Sequence, residues 1–197
     1  MGKINLTPSS NIPSRPIALV TVCDVKGKPN IITVGSVFFL TRKPPLVGIG
    51  IIPHRYSYWL LEQVPEFVIN FPTKELVWET DFCGTGDSGV QVDKFEKSGL
   101  TPIGATKVKP PLIKECKLHF ECVNVERLIL GDEKQHVNFI GEVVAVSAEE
   151  NILNEKKKIP WQKGNFINYN AWTGEYFSML GEFLAKDGFA KTTPKKV

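Results

Sequence analysis

The most constraining feature of the chain is a series of three short apolar runs, which cover residues 15–23, 31–39 and 46–52. Each run is too short for a core helix and is rich in β-branched or aromatic residues, which is typical of buried β-strands. Small residues interrupt the runs, among them Gly35 and Ser36. Because small side chains fill a core poorly, we expect a flat ligand to lie against the backbone there.

Strand patterns also dominate the rest of the chain. Further strands are predicted at 66–71, 112–125, 137–148 and 166–169, and short helices at 57–63, 74–81 and 92–97. Many short strands with few helices are typical of a β-barrel or sandwich. We therefore predict one mainly β domain with short helices over residues 1–197, without internal repeats.

Composition and charge exclude several classes of function. A 197-residue chain that is 42% hydrophobic and 23% charged suits one globular domain. Its net charge of +3 could attract a small anion, but nucleic-acid-binding surfaces are more basic and more clustered, and we expect lysines 156–158 to be solvated. The sequence has neither an apolar leader nor a stretch of membrane-spanning length, so we expect a cytoplasmic protein that binds no membrane and no nucleic acid.

The cysteines and histidines form no recognisable metal or catalytic motif. Cys116 and Cys122 alternate along a predicted strand, so we expect buried free thiols on one face and His119 on the outer face. The histidines share no ligand spacing, and no nucleophile–histidine arrangement is evident, so we predict no metal site. If the protein is an enzyme, we expect a cofactor to supply the reactive chemistry.

Two further motifs could contact a ligand. Residues 84–89 match the pattern GxGxxG, but a predicted helix precedes them and only a short helix follows, which excludes a Rossmann dinucleotide site. This segment is either a surface turn or a flexible loop over a ligand. Residues 54–57 open a helix after a strand, where Arg55 and a cap at or near Ser57 suit either phosphate binding or a simple helix cap with a solvated arginine.

Eight segments occur in order along nearly the whole chain. They are Pro13–Pro16, Asn30–Ser36, Pro44–Ile49, Arg55–Ser57, Glu66–Asn70, Asp81–Phe95 with Gly99–Thr101 after it, the pairs Glu115–Cys116 and Glu121–Cys122, and His136–Val143. Together they resemble the flavin reductase-like (flavoredoxin) family of FMN-binding split β-barrels. The stretch Asp81–Phe95 carries the strongest similarity. The resemblance implies a homodimer with tightly bound FMN near the subunit interface.

The resemblance also implies which residues would contact the cofactor. The backbone along the isoalloxazine ring would be that of Thr33, Val34, Gly35, Ser36 and Val37. The phosphate would be held by Arg55 and Ser57, and the loop over the site would be shaped by Ser88, Asp93, Lys94 and Phe95. Family members often have Trp at position 36 and a Gly-Asp/Ser-His triplet before the last long strand. Here position 36 is Ser36, which leaves more room over the ring. Three residues separate Asp132 from His136, so the resemblance does not imply a flavin contact for His136.

These observations leave alternative functions open. The first is an oxidoreductase in which NAD(P)H reduces bound FMN, which then passes electrons to free flavin, iron or a partner protein. The second is a flavoredoxin-type electron carrier that does not use NAD(P)H directly, and the third is a non-enzymatic β-barrel binding module. The related barrel of pyridoxamine-phosphate oxidase fits the Asp81–Phe95 motif less well. The aromatic tail, residues 172–183, either packs against the barrel or covers the flavin of the partner subunit.

Overall fold

A computed structural model describes residues 2–84, 92–132 and 135–178. The strands are β1 (Arg15–Pro16), β2 (Ala18–Cys23), β3 (Pro29–Val34), β4 (Val37–Arg42), β5 (Pro45–Ile51), β6 (Glu66–Asn70), β7 (Pro102–Ile103), β8 (Leu112–Ile113), β9 (Leu118–Ile129), β10 (Val137–Ala148), β11 (Ile167–Asn170) and β12 (Glu175–Ser178). The helices are α1 (Tyr56–Gln63), α2 (Val77–Gly84), α3 (Lys94–Ser98) and α4 (Trp161–Gly164), with 3-10 turns at Lys74–Leu76 and Glu150–Ile152. Within these residues the chain is mainly β, as predicted. No described helix is both long and apolar enough to cross a membrane.

The main sheet is strongly curved. Its seven antiparallel strands follow the order β3-β2-β6-β9-β10-β5-β4, so β3 and β4 are the two edges. Only Gly35 and Ser36 separate these edges along the chain, which holds the end of β3 close to the start of β4 and curls the sheet. The backbone N–H of Gly50 in β5 donates to the carbonyl of Ser36 at 2.9 Å. The result is a split β-barrel, and we call the junction at Gly35 and Ser36 the seam.

Two hydrophobic clusters hold the barrel and its helices together. The first includes Val20 and Phe67 and is completed by side chains of α1. The second includes Leu19 and side chains of α2 and α3, such as Phe95. Because neighbouring residues of β2 point into different clusters, this strand is buried on both faces. That double burial explains the continuous apolar run in the sequence.

Two small sheets flank the barrel. Strands β1, β11 and β12 form one of them, in which Arg15 of β1 pairs with Tyr169 of β11. Strands β7 and β8 form the other. The predicted aromatic tail contributes β12 as far as Ser178, while residues 179–183 lie outside the described residues. The two alternatives for the tail therefore stay predictions.

Several element boundaries differ from those predicted. The strand predicted at 31–39 is two strands, β3 and β4, because the chain bends at the seam. The strand predicted at 112–125 is also two, since Cys116 N–H donates to the Ile113 carbonyl in a turn between β8 and β9. The helix predicted at 74–81 begins as a 3-10 turn and continues to Gly84. The predicted helix at 57–63 and the strand at 137–148 are confirmed.

The prediction for His119 is wrong, and that for the cysteines is confirmed only in part. Cys122 lies in the first hydrophobic cluster and Cys116, which precedes β9, lies in the second, so the two thiols do not share one strand face. His119 is buried and its Nδ1 lies 2.9 Å from Asn70 Oδ1. Both faces of β9 are covered there, because Asn70 also accepts a hydrogen bond from Ile113 N–H in β8. All four cysteines are buried and free. Burial raises the pKa of Cys83 to about 11 and that of Cys122 to about 12, so both thiols stay protonated at neutral pH.

Candidate functional site

A cavity of about 280 Å³ opens at the seam of the barrel, and we call it the seam cavity. Its lining consists of Ser10, Asn11, Arg15, Ile32, Thr33, Val34, Gly35, Ser36, Gly50, Ile51, Ile52, Arg55 and His136. The structure thus brings together Arg55 and four of the five residues predicted to lie along a flat ligand. The fifth, Val37, starts β4 and packs against the first hydrophobic cluster instead of lining the cavity.

Two glycines form the floor of the seam cavity. A Cβ atom added to Gly50 would lie 3.0 Å from Ser36 Cβ and 3.3 Å from Asn138 Oδ1. A Cβ atom added to Gly35 would lie 3.3 Å from Nε of Arg15. Any larger side chain at either position would therefore meet the cavity walls. Glycine at both positions therefore lets neighbouring side chains pack closely against the backbone of the cavity, and the predicted ligand contact stays a prediction.

Arg55 stands at the entrance of α1. It is the N-cap residue, with φ −77° and ψ 137°, and no hydrogen bond from a cap side chain is present within the described residues. The prediction of a capping side chain at or near Ser57 is therefore wrong. Without a side-chain cap, the first-turn N–H groups of α1 can bind an anion beside the guanidinium of Arg55.

Ser57 makes a different contact from the one that the resemblance implies. Its side chain is buried, and its Oγ accepts a hydrogen bond from Nδ2 of Asn30 at 2.8 Å. This bond ties α1 to β3. Ser57 is not among the residues that line the seam cavity, so its predicted phosphate contact stays a prediction.

The predicted loop residues around α3 lie behind the cavity wall. Asp93 caps α3, with its Oδ1 accepting from the backbone N–H of Glu96 at 3.1 Å, and Phe95 is buried in the second cluster. Lys94 is buried and its Nζ donates to the carbonyl of Cys83 at 2.9 Å. None of the three lines the seam cavity. Ser88, the fourth predicted loop residue, lies outside the described residues.

Lys94 is nevertheless coupled to the cavity through its charge. Burial lowers the pKa of Lys94, and the positive charge of Arg55 lowers it further. The charge of Arg55 in the cavity lining is therefore felt at Lys94 behind the wall. Thr33 connects the same region to α2, because its Oγ1 donates to the carbonyl of Thr80 at 2.5 Å.

Arg15 and His136 also line the cavity, although neither was predicted to contact the ligand. The guanidinium carbon of Arg15 lies 5.4 Å from the ring centroid of Tyr169, and its Nε is buried without a hydrogen-bond partner among the described residues. Burial lowers the pKa of His136, and the charge of Arg15 lowers it further. Arg15 falls within the family-like segment Pro13–Pro16, which was the one available signal for it.

The chemistry of the lining defines the kind of ligand that fits. Two arginines face the cavity and none of the described lining residues is acidic. The glycines contribute only backbone to the lining, and a donor on Arg15 lacks an acceptor among the described residues. A flat ligand with an anionic group and hydrogen-bond acceptors would satisfy each of these features. No described pair of lining side chains provides both an acid and a base, so the cavity is equipped to bind rather than to perform proton chemistry alone.

Comparisons with known proteins agree on one family. Residues 11–169 match the model of the flavin reductase like domain. The fold is similar to that of flavoredoxin of Desulfovibrio vulgaris (Miyazaki F), with 26% identity, a TM-score of 0.88, and coverage of 96% of this chain and 100% of that chain. Flavoredoxin from Methanosarcina acetivorans gives 30% identity, a TM-score of 0.86, and coverage of 98% and 99%. An FMN-binding protein from Thermus thermophilus, solved with bound 1-cyclohex-2-enone, gives 25% identity, a TM-score of 0.77, and coverage of 94% and 99%.

Proposed function

The chain belongs to the flavin reductase-like domain family, and from this premise we propose that it is an FMN-binding oxidoreductase whose cofactor occupies the seam cavity. In this proposal NAD(P)H reduces the bound FMN, which passes electrons to free flavin, iron or a partner protein. The observation that carries the proposal is the seam cavity itself, which is lined by the backbone of two glycines and by two arginines, with no described acidic side chain.

The residues present fit FMN on three counts. Gly35 and Gly50 bring no side chain to the cavity lining, which suits a flat ring close to the backbone. Arg55, the uncapped first turn of α1 and the nearby charge of Lys94 suit a phosphate. The unpartnered Nε of Arg15 needs an acceptor, and the isoalloxazine ring carries several.

The contributions of protein and cofactor differ. When bound, FMN supplies the hydride and electron chemistry. The protein residues bind and orient it: Arg55 would hold the phosphate, and the backbone of residues 33–36 would lie along the ring. Ser36 in place of a bulky side chain leaves space above the floor for a second reactant. The absence of an acid–base pair in the described lining is consistent with cofactor-based chemistry.

Replacing Arg55 tests where the phosphate binds. We expect Arg55→Gln to weaken FMN binding by about 1.5–3 kcal/mol, roughly 10- to 150-fold in Kd, because it removes a charged hydrogen-bond donor. Riboflavin, which lacks the phosphate, should bind wild type and variant equally well. Flavin fluorescence titrations measure both affinities. The exposed Arg42 lies outside the cavity, so Arg42→Gln is the matched control. Equal FMN affinities of Arg55→Gln and wild type would contradict the assignment.

An anaerobic reduction experiment tests the proposed activity. The FMN-loaded protein is mixed with NADH or NADPH, and the visible absorbance of the oxidised flavin is followed. Bleaching within seconds supports the oxidoreductase, whereas a flavin that stays oxidised with both nucleotides refutes it. The similarity to two flavoredoxins favours a second candidate, an electron carrier that a protein partner reduces. That candidate predicts no bleaching by nucleotide but full reduction by dithionite.

We also propose that the protein is a homodimer with FMN near the subunit interface. Exposed apolar side chains on β4, β9 and β10 support this: Phe39 is 65% exposed, Val125 51% and Val146 58%. Large apolar side chains that are exposed on a sheet are candidates for burial in a subunit interface. Sedimentation equilibrium tests the proposal, because a dimer has twice the chain mass of 22.0 kDa. A monomer at micromolar concentration would contradict it.

A further inference from the structure

Arg15 is held in place by contacts on two sides. Its guanidinium lies over the ring of Tyr169, its partner in the β1–β11 pair, at 5.4 Å. On the other side it lies against the seam, since a Cβ added to Gly35 would be 3.3 Å from both Nε and Nη2. A guanidinium fixed in this way cannot turn away to solvent without losing both contacts. Its buried Nε, which lacks a partner in the described part of the chain, is therefore left in need of an acceptor.

Two pairs of titratable side chains lie in the cavity lining or behind the cavity wall. Arg55 interacts through its charge with Lys94, next to α1 and α2. Arg15 interacts through its charge with His136, next to β1 and β10. The proposed function assigns the phosphate to Arg55, which leaves Arg15 available for another part of the bound ligand.

We propose that Arg15 raises the reduction potential of the bound FMN by stabilising the negative charge that the isoalloxazine ring gains on reduction. This inference rests on the proposed function and assigns to Arg15 a role distinct from that of Arg55. The ring would lie along residues 33–36, and Arg15 stands against Gly35 in the middle of that segment. Because the guanidinium is already held in place, it does not have to move when the ring becomes negative.

The charge balance of the reduction explains why a cation matters. An external reductant such as dithionite or a nicotinamide delivers two electrons, and the ring takes up one proton with them. The reduced cofactor therefore carries one more negative charge than the oxidised cofactor. A neighbouring cation binds the reduced form more tightly than the oxidised form, which raises the potential. The phosphate bears the same charge in both forms, so a cation at the phosphate changes overall affinity far more than potential.

The test compares reduction potentials of FMN-loaded variants. Wild type, Arg15→Gln, Arg15→Lys and Arg42→Gln are each reduced stepwise with dithionite in the presence of a redox dye. We expect Arg15→Gln to lower the preference for reduced over oxidised FMN by about tenfold, which is about 30 mV for a two-electron couple. Arg15→Lys keeps the charge and should stay within about threefold of wild type. Arg42→Gln controls for loss of a surface arginine. If Arg15→Gln is unstable, Arg15→Met replaces it in the comparison, because methionine keeps an apolar side chain packed on Tyr169.

Two further measurements separate Arg15 from a phosphate ligand. The ratio of riboflavin to FMN dissociation constants should be unchanged in Arg15→Gln, whereas it should collapse in Arg55→Gln. In the FMN-free protein, NMR titration of His136 should show a higher pKa in Arg15→Gln, because a neighbouring positive charge is lost. An unchanged potential in Arg15→Gln, or a collapsed riboflavin-to-FMN ratio, overturns the inference. A wild-type protein that takes up no FMN refutes the proposed function and this inference together, whereas normal FMN affinity with an unchanged potential refutes this inference alone.

Discussion

Adding one methyl group to the floor of the seam cavity gives a sharp test of how the ligand is bound. In Gly50→Ala the new Cβ lies 3.0 Å from Ser36 Cβ, 3.3 Å from Asn138 Oδ1 and 3.5 Å from His136 Cδ2. The first distance is tighter than ordinary van der Waals contact, so Ser36 must move by a few tenths of an ångström. Because Gly50 N–H also donates to the Ser36 carbonyl at 2.9 Å, this movement disturbs the seam itself.

The expected effect falls mainly on binding. Overpacking costs about 1–3 kcal/mol. If this cost falls on the FMN-bound state alone, the Kd for FMN rises by roughly 5- to 150-fold. The free protein can relax into the cavity, so we expect a smaller change in its thermal stability. Fluorescence titration of FMN and thermal unfolding of the cofactor-free protein measure the two effects separately.

Two variants make the experiment decisive. Gly104→Ala adds the same methyl group where no atom lies within 4 Å, so it should leave FMN affinity unchanged. The double variant Ser36→Gly/Gly50→Ala removes the Cβ that the new methyl meets, and it should recover part of the lost affinity. If Gly50→Ala binds FMN as tightly as Gly104→Ala does, the floor of the cavity is not where the ligand lies.

Three further changes test the surrounding fold. Gly141→Ala places a methyl 2.5 Å from Cζ of the fully buried Phe67, so the free energy of unfolding should fall by about 1–3 kcal/mol; a wild-type urea midpoint would contradict this. The carboxylate of Glu121 accepts hydrogen bonds from both the backbone N–H and Oγ1 of Thr106. Replacing it in Glu121→Gln should lower the free energy of unfolding at pH 7 by about 1–3 kcal/mol in the same urea titration. An unchanged free energy of unfolding would refute this role of Glu121. Burial lowers the pKa of His119 below its ordinary 6.5, so the unfolded chain binds the proton first and stability falls as pH drops below about 6.5. His119→Asn should flatten this slope, and an unchanged slope would exclude His119 as its source.

The sequence predicted the strands well where burial alone decides them. The run at residues 18–23 is buried on both faces, so a continuous apolar stretch was a reliable signal. The bend at Gly35 and Ser36 was not predicted, because it depends on the pairing of β4 with β5 and on closure of the barrel. These are long-range contacts, and the local pattern of the run is equally compatible with one longer strand.

The error at His119 has a similar cause. Alternation along β9 separates two faces correctly, but it identifies an outer face only if nothing covers that side. Here β8 covers it, through the hydrogen bond from Ile113 N–H to Asn70. Residues 106 and 107 also donate to Glu121 on the same strand. A sequence pattern within one strand contains no information about such a cover.

The candidate site was predicted in part. Residues 33–36 and Arg55 converge on one cavity, and small residues beside a strand were sufficient to single out the floor. Arg15 and His136 meet there although 120 residues separate them in the chain, and their places in two family-like segments do not show that the two side chains share a cavity. Asp93, Lys94 and Phe95 lie behind the cavity wall, where helix capping and core packing position them. A motif match does not show whether a residue contacts the ligand or only holds the surrounding structure in place.

A crystal structure of the protein grown with FMN tests the central claim most directly. We expect the isoalloxazine ring to lie along the backbone of residues 33–36 and the phosphate to contact Arg55 at the start of α1. Density for FMN elsewhere on the barrel, with the seam cavity filled by protein side chains, would contradict the account.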